Sequence, residues 1–226
     1  AQEDPALAAS LAAAQAEQRR SRPELDAGIG GSTRTGSLKC LHAHAAFAPA
    51  RPGYVPGDRI LVTERVGRLR LIESGKLRPE PITGIPAVLV RDEAGLMSVV
   101  AHPDYPHNGW IYLSYSDRGP HDTAMTKIVR GRVRDGRWVD QETVFAIRPE
   151  DYQPSSVLFG GRMVFQGQYL FFSVGERGME QGTTGKAQDL SVANGKIHRV
   201  FADGSVPSDN PLARQAGAVG SILAWG

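Results

Sequence analysis

From about Asp58 onward the chain is written as short strand-like runs punctuated by turn residues, and this texture constrains the fold more than any other feature. RILVTE, GRLRLIE, LMSVVAH, GWIYLSYS, MTKIVRGRVR, RMVFQ, QYLFFSVG, KIHRVF and SILAWG are rich in β-branched and aromatic residues. Between them stand SGK, PDYPHNG, RDGR, FQGQ and ADGS, each a turn signal. No helical periodicity intervenes, so the region is an all-β sandwich, barrel or propeller. Strand periodicity does not choose among the three.

The first residues have a different texture. ALAASLAAAQAEQRRSR is free of glycine and proline and predicts a helix ending near Arg22 and Pro23. Alanine buries little, so such a helix needs a partner. The glycine-rich loop GIGGSTRTGS follows, then LKCLHAHAAFA as a second short helix. The stretch PARPGYVPGD, with its prolines and glycines, reads as a linker. Two regions are therefore expected, residues 1–57 and residues 58–226.

Composition excludes several classes of function. Of the 226 residues 41% are hydrophobic and 22% charged, which suits a folded chain with a real core. A formal net charge of +2 gives no electrostatic case for a nucleic-acid partner. No apolar run approaches the roughly 20 residues of a membrane helix. AQEDPALAAS does not read as a signal peptide, having no basic segment followed by an apolar one. The single cysteine, Cys40, excludes an intrachain disulfide.

Cys40, His42 and His44 form a C-x-H-x-H cluster of ligands suited to zinc or copper. On a strand all three share a side; on a helix Cys40 and His44 share a face and His42 points away. A closed site needs a fourth ligand from elsewhere, and the alternative is a buried thiol beside surface histidines. In ADGSVPSDNP the dense alternating oxygens and terminal glutamate of a calcium loop are missing, and turn chemistry accounts for Asp203, Gly204, Asn210 and Pro211. GERGMEQGTTGK lacks the spacing of a phosphate loop, since Ala187 follows Lys186.

Six segments taken together select a fold: ILVTERVGRLRLI, GLMSVVAHPDYPHNGWIYLSYS, FGGRMVF, FFSVGERG, AQDLSVANGKIHRVFADGSVPSDNPL and ILAWG. In this order they resemble the soluble, pyrroloquinoline-quinone-dependent aldose dehydrogenases, the glucose/sorbosone dehydrogenase family. The resemblance implies a six-bladed β-propeller of four-stranded blades, of which this chain supplies about half. It implies calcium beside the quinone, an aldose substrate, an electron acceptor and a periplasmic location. Half a ring leaves open edges, from which self-association is expected. Residues from about 20 to 60, chiefly KCLHAH, resemble instead the C-terminal end of a bacterial domain family of unknown function. The join near Asp58 to Val62 therefore reads as a fusion of two truncated pieces.

The resemblance also assigns site positions. In that family a histidine removes the anomeric hydroxyl proton as hydride passes to the quinone. The histidine's position, four residues before Arg162, is held here by Leu158, which cannot accept a proton. The carboxylate that orients the base falls at Glu176. The quinone-contacting glutamine falls at Glu93, whose charge would repel the quinone's carboxylates unless a cation intervenes. Arg162 is expected to be a buried or half-buried structural arginine, or else a quinone contact. His102, in AHPDY, is the remaining substitute base; the competing reading makes it a turn residue bonded locally beside Pro103 and Asp104. The family's quinone clamp follows the tryptophan-glycine pair, here Trp225 and Gly226, and is expected to be lost along with the calcium ligands. The functional readings are thus an inactive or incomplete aldose dehydrogenase, a non-catalytic binding or interaction module derived from a propeller, or a function carried by the N-terminal piece.

Overall fold

The structure, a computed structural model, describes residues 59–178 and 185–225. All belong to one compact unit, Cys40–Gly226. The expected helices and the Cys40, His42 and His44 cluster lie outside the described residues.

Three antiparallel sheets follow one another along the chain. The first joins β1 (Arg59–Glu64), β2 (Arg68–Glu73) and the two-residue β3 (Lys76–Leu77). The second runs in order β4 (Leu96–Ala101), β5 (Ile111–Arg118), β6 (Ala124–Arg134) and β7 (Arg137–Phe145). The third joins β8 (Gly160–Gln166), β9 (Tyr169–Val174), β10 (Lys196–Phe201) and β11 (Ile222–Trp225). Each is a meander of sequence neighbours, and the edge strand β4 touches both β1 and β8. Successive meanders packed face to face are propeller blades, so the expected partial propeller is what the described residues form.

Two apolar layers hold the blades together. Leu61, Leu69 and Ile82 of the first sheet region meet Leu96, Val99, Ile111, Leu113 and Trp138 of the second. Tyr112, Met125, Ile128 and Phe145 meet Met163, Phe165, Leu170, Phe172 and Val200 of the third. Because side chains alternate along a strand, the central sheet sends odd and even residues into different layers. That is why β5 is buried continuously from Ile111 to Ser116. Its hydroxyls need internal partners and find them: Ser114 donates to the Gly161 carbonyl at 2.6 Å and Ser116 to that of Leu89 at 2.6 Å. Thr126 of β6 donates to the Phe159 carbonyl at 2.6 Å, tying the central blade to the segment that leads into β8.

The short β3 and two single 3-10 turns, at Pro120–Asp122 and Pro149–Asp151, were not read from the sequence, and two larger elements differ from it. The segment PDYPHNG, expected as a turn, contains one helical turn, α1 (Tyr105–Asn108). RWVDQETVF, not recognised as a strand, is β7; five of its nine residues are exposed, and Asp140 has a left-handed φ of 54°. An outer strand with so little burial leaves almost no apolar alternation to read.

Candidate active site

The positions assigned to base, orienting carboxylate and quinone contact come together at the end of β4 where that strand begins. Glu93 lies three residues before β4, and its Oε2 accepts the Leu158 backbone N–H at 2.8 Å. The Glu93 N–H donates in turn to the Ser156 carbonyl at 3.2 Å. Leu158 has a left-handed φ of 55° and is 42% exposed. Its carbonyl lies against Gly175, where a Cβ would stand 1.8 Å from that oxygen. Only glycine fits there, and Glu176 follows directly. The Glu176 Oε1 accepts the Gly185 N–H at 3.2 Å, and its carbonyl accepts the Asn194 side-chain amide at 3.4 Å.

Beneath this surface lies Arg177, fully buried and, among the described residues, without a carboxylate within salt-bridge distance. Its guanidinium donates to the carbonyls of Ala124 (3.2 Å), Ser155 and Val157, and stacks on the Phe159 ring at 3.3 Å from the centroid. Nε has no partner. Burial above all, and then the Arg91 cation, lowers its pKa to about 10, against the pull of Glu93. It is still charged at neutral pH, a buried cation held by carbonyl dipoles. Lys196, also buried, donates to the carbonyls of Lys186 (2.6 Å) and Asn194 (2.7 Å), and burial lowers its pKa. Lys186 donates to the Gln153 side chain, its pKa lowered by burial.

His102 is not brought to this cluster. It follows the last residue of β4, so the whole strand separates it from Glu93, about 20 Å at roughly 3.3 Å per residue. Its Nδ1 accepts from the Asp104 N–H at 3.0 Å and the Asn108 side-chain amide at 2.8 Å. The ring meets Phe165 edge-on at 5.4 Å, and burial lowers its pKa. This is the local turn role that competed with catalysis in the sequence. Arg162 departs from the expectation of burial. In β8 residues 161, 163 and 165 point inward, so the alternation turns Arg162 to solvent; its N–H donates to Ser173 Oγ at 3.2 Å.

A bound quinone would need donors free to face its carboxylates. Here Arg177 and Lys196 are already directed at protein carbonyls, Lys186 at Gln153, while Glu93 and Glu176 bring negative charge to the same end. The described residues alone do not fit that anion. Among them no three His, Cys, Asp or Glu side chains converge on a point suited to a metal ion. What the cluster does offer is a surface topped by the exposed aliphatic side chain of Leu158. Sequence reasoning missed Arg177, Gly175, Asn194 and Lys196. The glycines flanking Glu176 and Arg177 in VGERG were the available sign of a backbone crowded by its neighbours.

Among the described residues no helix is long and apolar enough to cross a membrane. The family model for glucose/sorbosone dehydrogenase matches residues 48–226. The aldose sugar dehydrogenase YliI of Escherichia coli is 36% identical over 184 residues, covering 80% of this chain and 46% of the relative. Quinoprotein glucose dehydrogenase B of Acinetobacter calcoaceticus is 26% identical over 181 residues, covering 69% of this chain and 37% of the relative. The crystal structure of a glucose dehydrogenase superposes with a TM-score of 0.69 at 34% identity, covering 77% of this chain and 50% of that one. The chain thus spans about half or less of the length of the relatives it matches. With three propeller blades, their connecting motifs and a family match across most of its length, the chain belongs to the glucose/sorbosone dehydrogenase family.

Proposed function

We propose that this chain derives from a quinone-dependent aldose dehydrogenase and does not itself oxidise sugars. One observation supports the reading: Leu158, at the position that the family resemblance assigns to the general base, is set beside Glu93 and Gly175. Oxidation at an anomeric carbon removes a hydroxyl proton and a hydride. An alkyl side chain takes up neither, and His102 stands at the other end of the strand. The aldose substrate, the quinone, calcium, an external electron acceptor and a periplasmic setting are carried over from the relatives as part of this proposal.

The test is reconstitution with pyrroloquinoline quinone and calcium, followed by dye-linked oxidation of glucose and other aldoses. No turnover is expected, and Leu158→His alone is expected to restore none, because the described cations at the site are already engaged by the protein. Turnover by the unaltered chain would overturn the reading.

A second reading, a non-catalytic interaction module, is favoured by the outer face of the third sheet, where Val164 is 54% and Ile197 42% exposed. Self-association through that face is the form it takes. Sedimentation equilibrium tests it: a monomer up to high micromolar concentration rules it out.

A further inference from the structure

We infer that Glu93 is a positioning residue for residue 158. Leu158 is a bulky residue in the left-handed region, and such backbone persists only where its surroundings fix it. The surroundings here come from several directions. Glu93 accepts the Leu158 N–H at 2.8 Å. Arg177 holds the carbonyls of Ser155 and Val157. Thr126 and the Gly175 N–H hold the carbonyl of Phe159, at 2.6 and 2.9 Å. Ser156 is tied through its hydroxyl to the Asp92 carboxylate and through its carbonyl to the Glu93 N–H. Every one of these bonds is made by backbone or by a side chain other than that of residue 158. The direction in which side chain 158 leaves the surface is therefore set without reference to what that side chain is. Among the described residues Glu93 supplies the one bond to the backbone of residue 158 itself that comes from a side chain. Its Oε2 is thereby directed at the protein backbone.

The inference does not rest on the proposed chemistry, because the experiment reads backbone amides in the full chain. Hydrogen exchange, followed residue by residue by NMR, is compared in the unaltered protein, Glu93→Gln, Glu93→Met and Glu93→Asp. In Glu93→Met the Leu158 amide is expected to exchange roughly 10- to 100-fold faster, the loss of a hydrogen bond to a charged acceptor. Glu93→Gln keeps an acceptor oxygen at the same reach and is expected to hold the amide within a few-fold of the unaltered protein. Glu93→Asp keeps the charge, falls one methylene short, and is expected to accelerate it severalfold. Amides of Tyr112 and Ile128, in the central sheet, are expected not to change in any variant. An unchanged Leu158 amide in Glu93→Met or Glu93→Asp overturns the assignment. So does a Glu93→Gln variant as fast as Glu93→Met, or acceleration of all amides together, which would make Glu93 a general stabiliser.

Discussion

The central and third sheets are built to the same plan, yet their strands obey different burial rules. β5 is buried at six consecutive positions, whereas β8 alternates exposed and buried along its whole length. The difference is one of neighbours. Among the described residues the β4–β7 sheet is covered on both faces by the two apolar layers, and the β8–β11 sheet on one. A blade's sequence thus records how many faces are covered, as strands buried on both sides lose their alternation. The shared layer between the two sheets includes a histidine: His198 stacks on Phe172 at 5.0 Å and tilts against Phe145 at 5.1 Å.

The comparison can be broken by mutation. Leu113→Ala, at a fully buried position of β5, is expected to cost about 2–5 kcal/mol, read from the urea midpoint. A cost under 1 kcal/mol would mean that the central sheet is less tightly enclosed than described. The shared layer is probed by pH. Burial, the main cause, lowers the His198 pKa to about 4, even though a bond to the Ala193 carbonyl pulls the other way. The folded state therefore prefers the neutral ring, while the unfolded chain binds the proton near pH 6.5. This stability is complete above about pH 6.5 and lost as pH falls toward 4, on the order of 3 kcal/mol in all. His198→Gln is expected to flatten that part of the stability curve, and an unchanged slope would remove His198 as its source.

Gly175→Ala comes next, since the new methyl would overlap the Leu158 carbonyl; about 1–3 kcal/mol of destabilisation is expected, with altered amide shifts from Leu158 to Gly160. Confinement of those shifts to Gly175 alone would show that the crowding is relieved locally. The smallest effect belongs to the open face. Val164→Thr is expected to stay within about 0.5 kcal/mol of the unaltered protein. A larger loss would show that this face is covered in solution.

Much of this organisation was legible in the amino-acid order. Strands β1, β2, β4, β8, β9 and β10 could be read because one or both faces bury β-branched and aromatic residues. β7 could not, since Asp140, Gln141, Glu142 and Thr143 face solvent in a row. Glu93, Leu158 and Glu176 were singled out by the family resemblance; Glu93 bonds the Leu158 N–H, and Glu176 follows the glycine that lies against the Leu158 carbonyl. Their partners were not legible. Nothing in VGERG says that the arginine turns inward beneath the loop, because its acceptors are backbone carbonyls at Ala124, Ser155 and Val157, and carbonyls carry no sequence signature. His102 and Arg162 were candidates by residue type and by their places in family motifs; β4 sets the first at its far end from Glu93, and the alternation along β8 turns the second to solvent.

The carbonyl cage around Arg177 separates the shape of the site from its chemistry. A guanidinium that holds main chain is indifferent to the side chains that main chain carries. It is retained for as long as the fold must avoid a buried, unpaired charge. The side chain at position 158 can therefore be exchanged while the loop that carries it is kept by selection for stability alone. The form of this surface is in that sense inherited separately from its use, and a protein engineer meeting it inherits a mount already aligned.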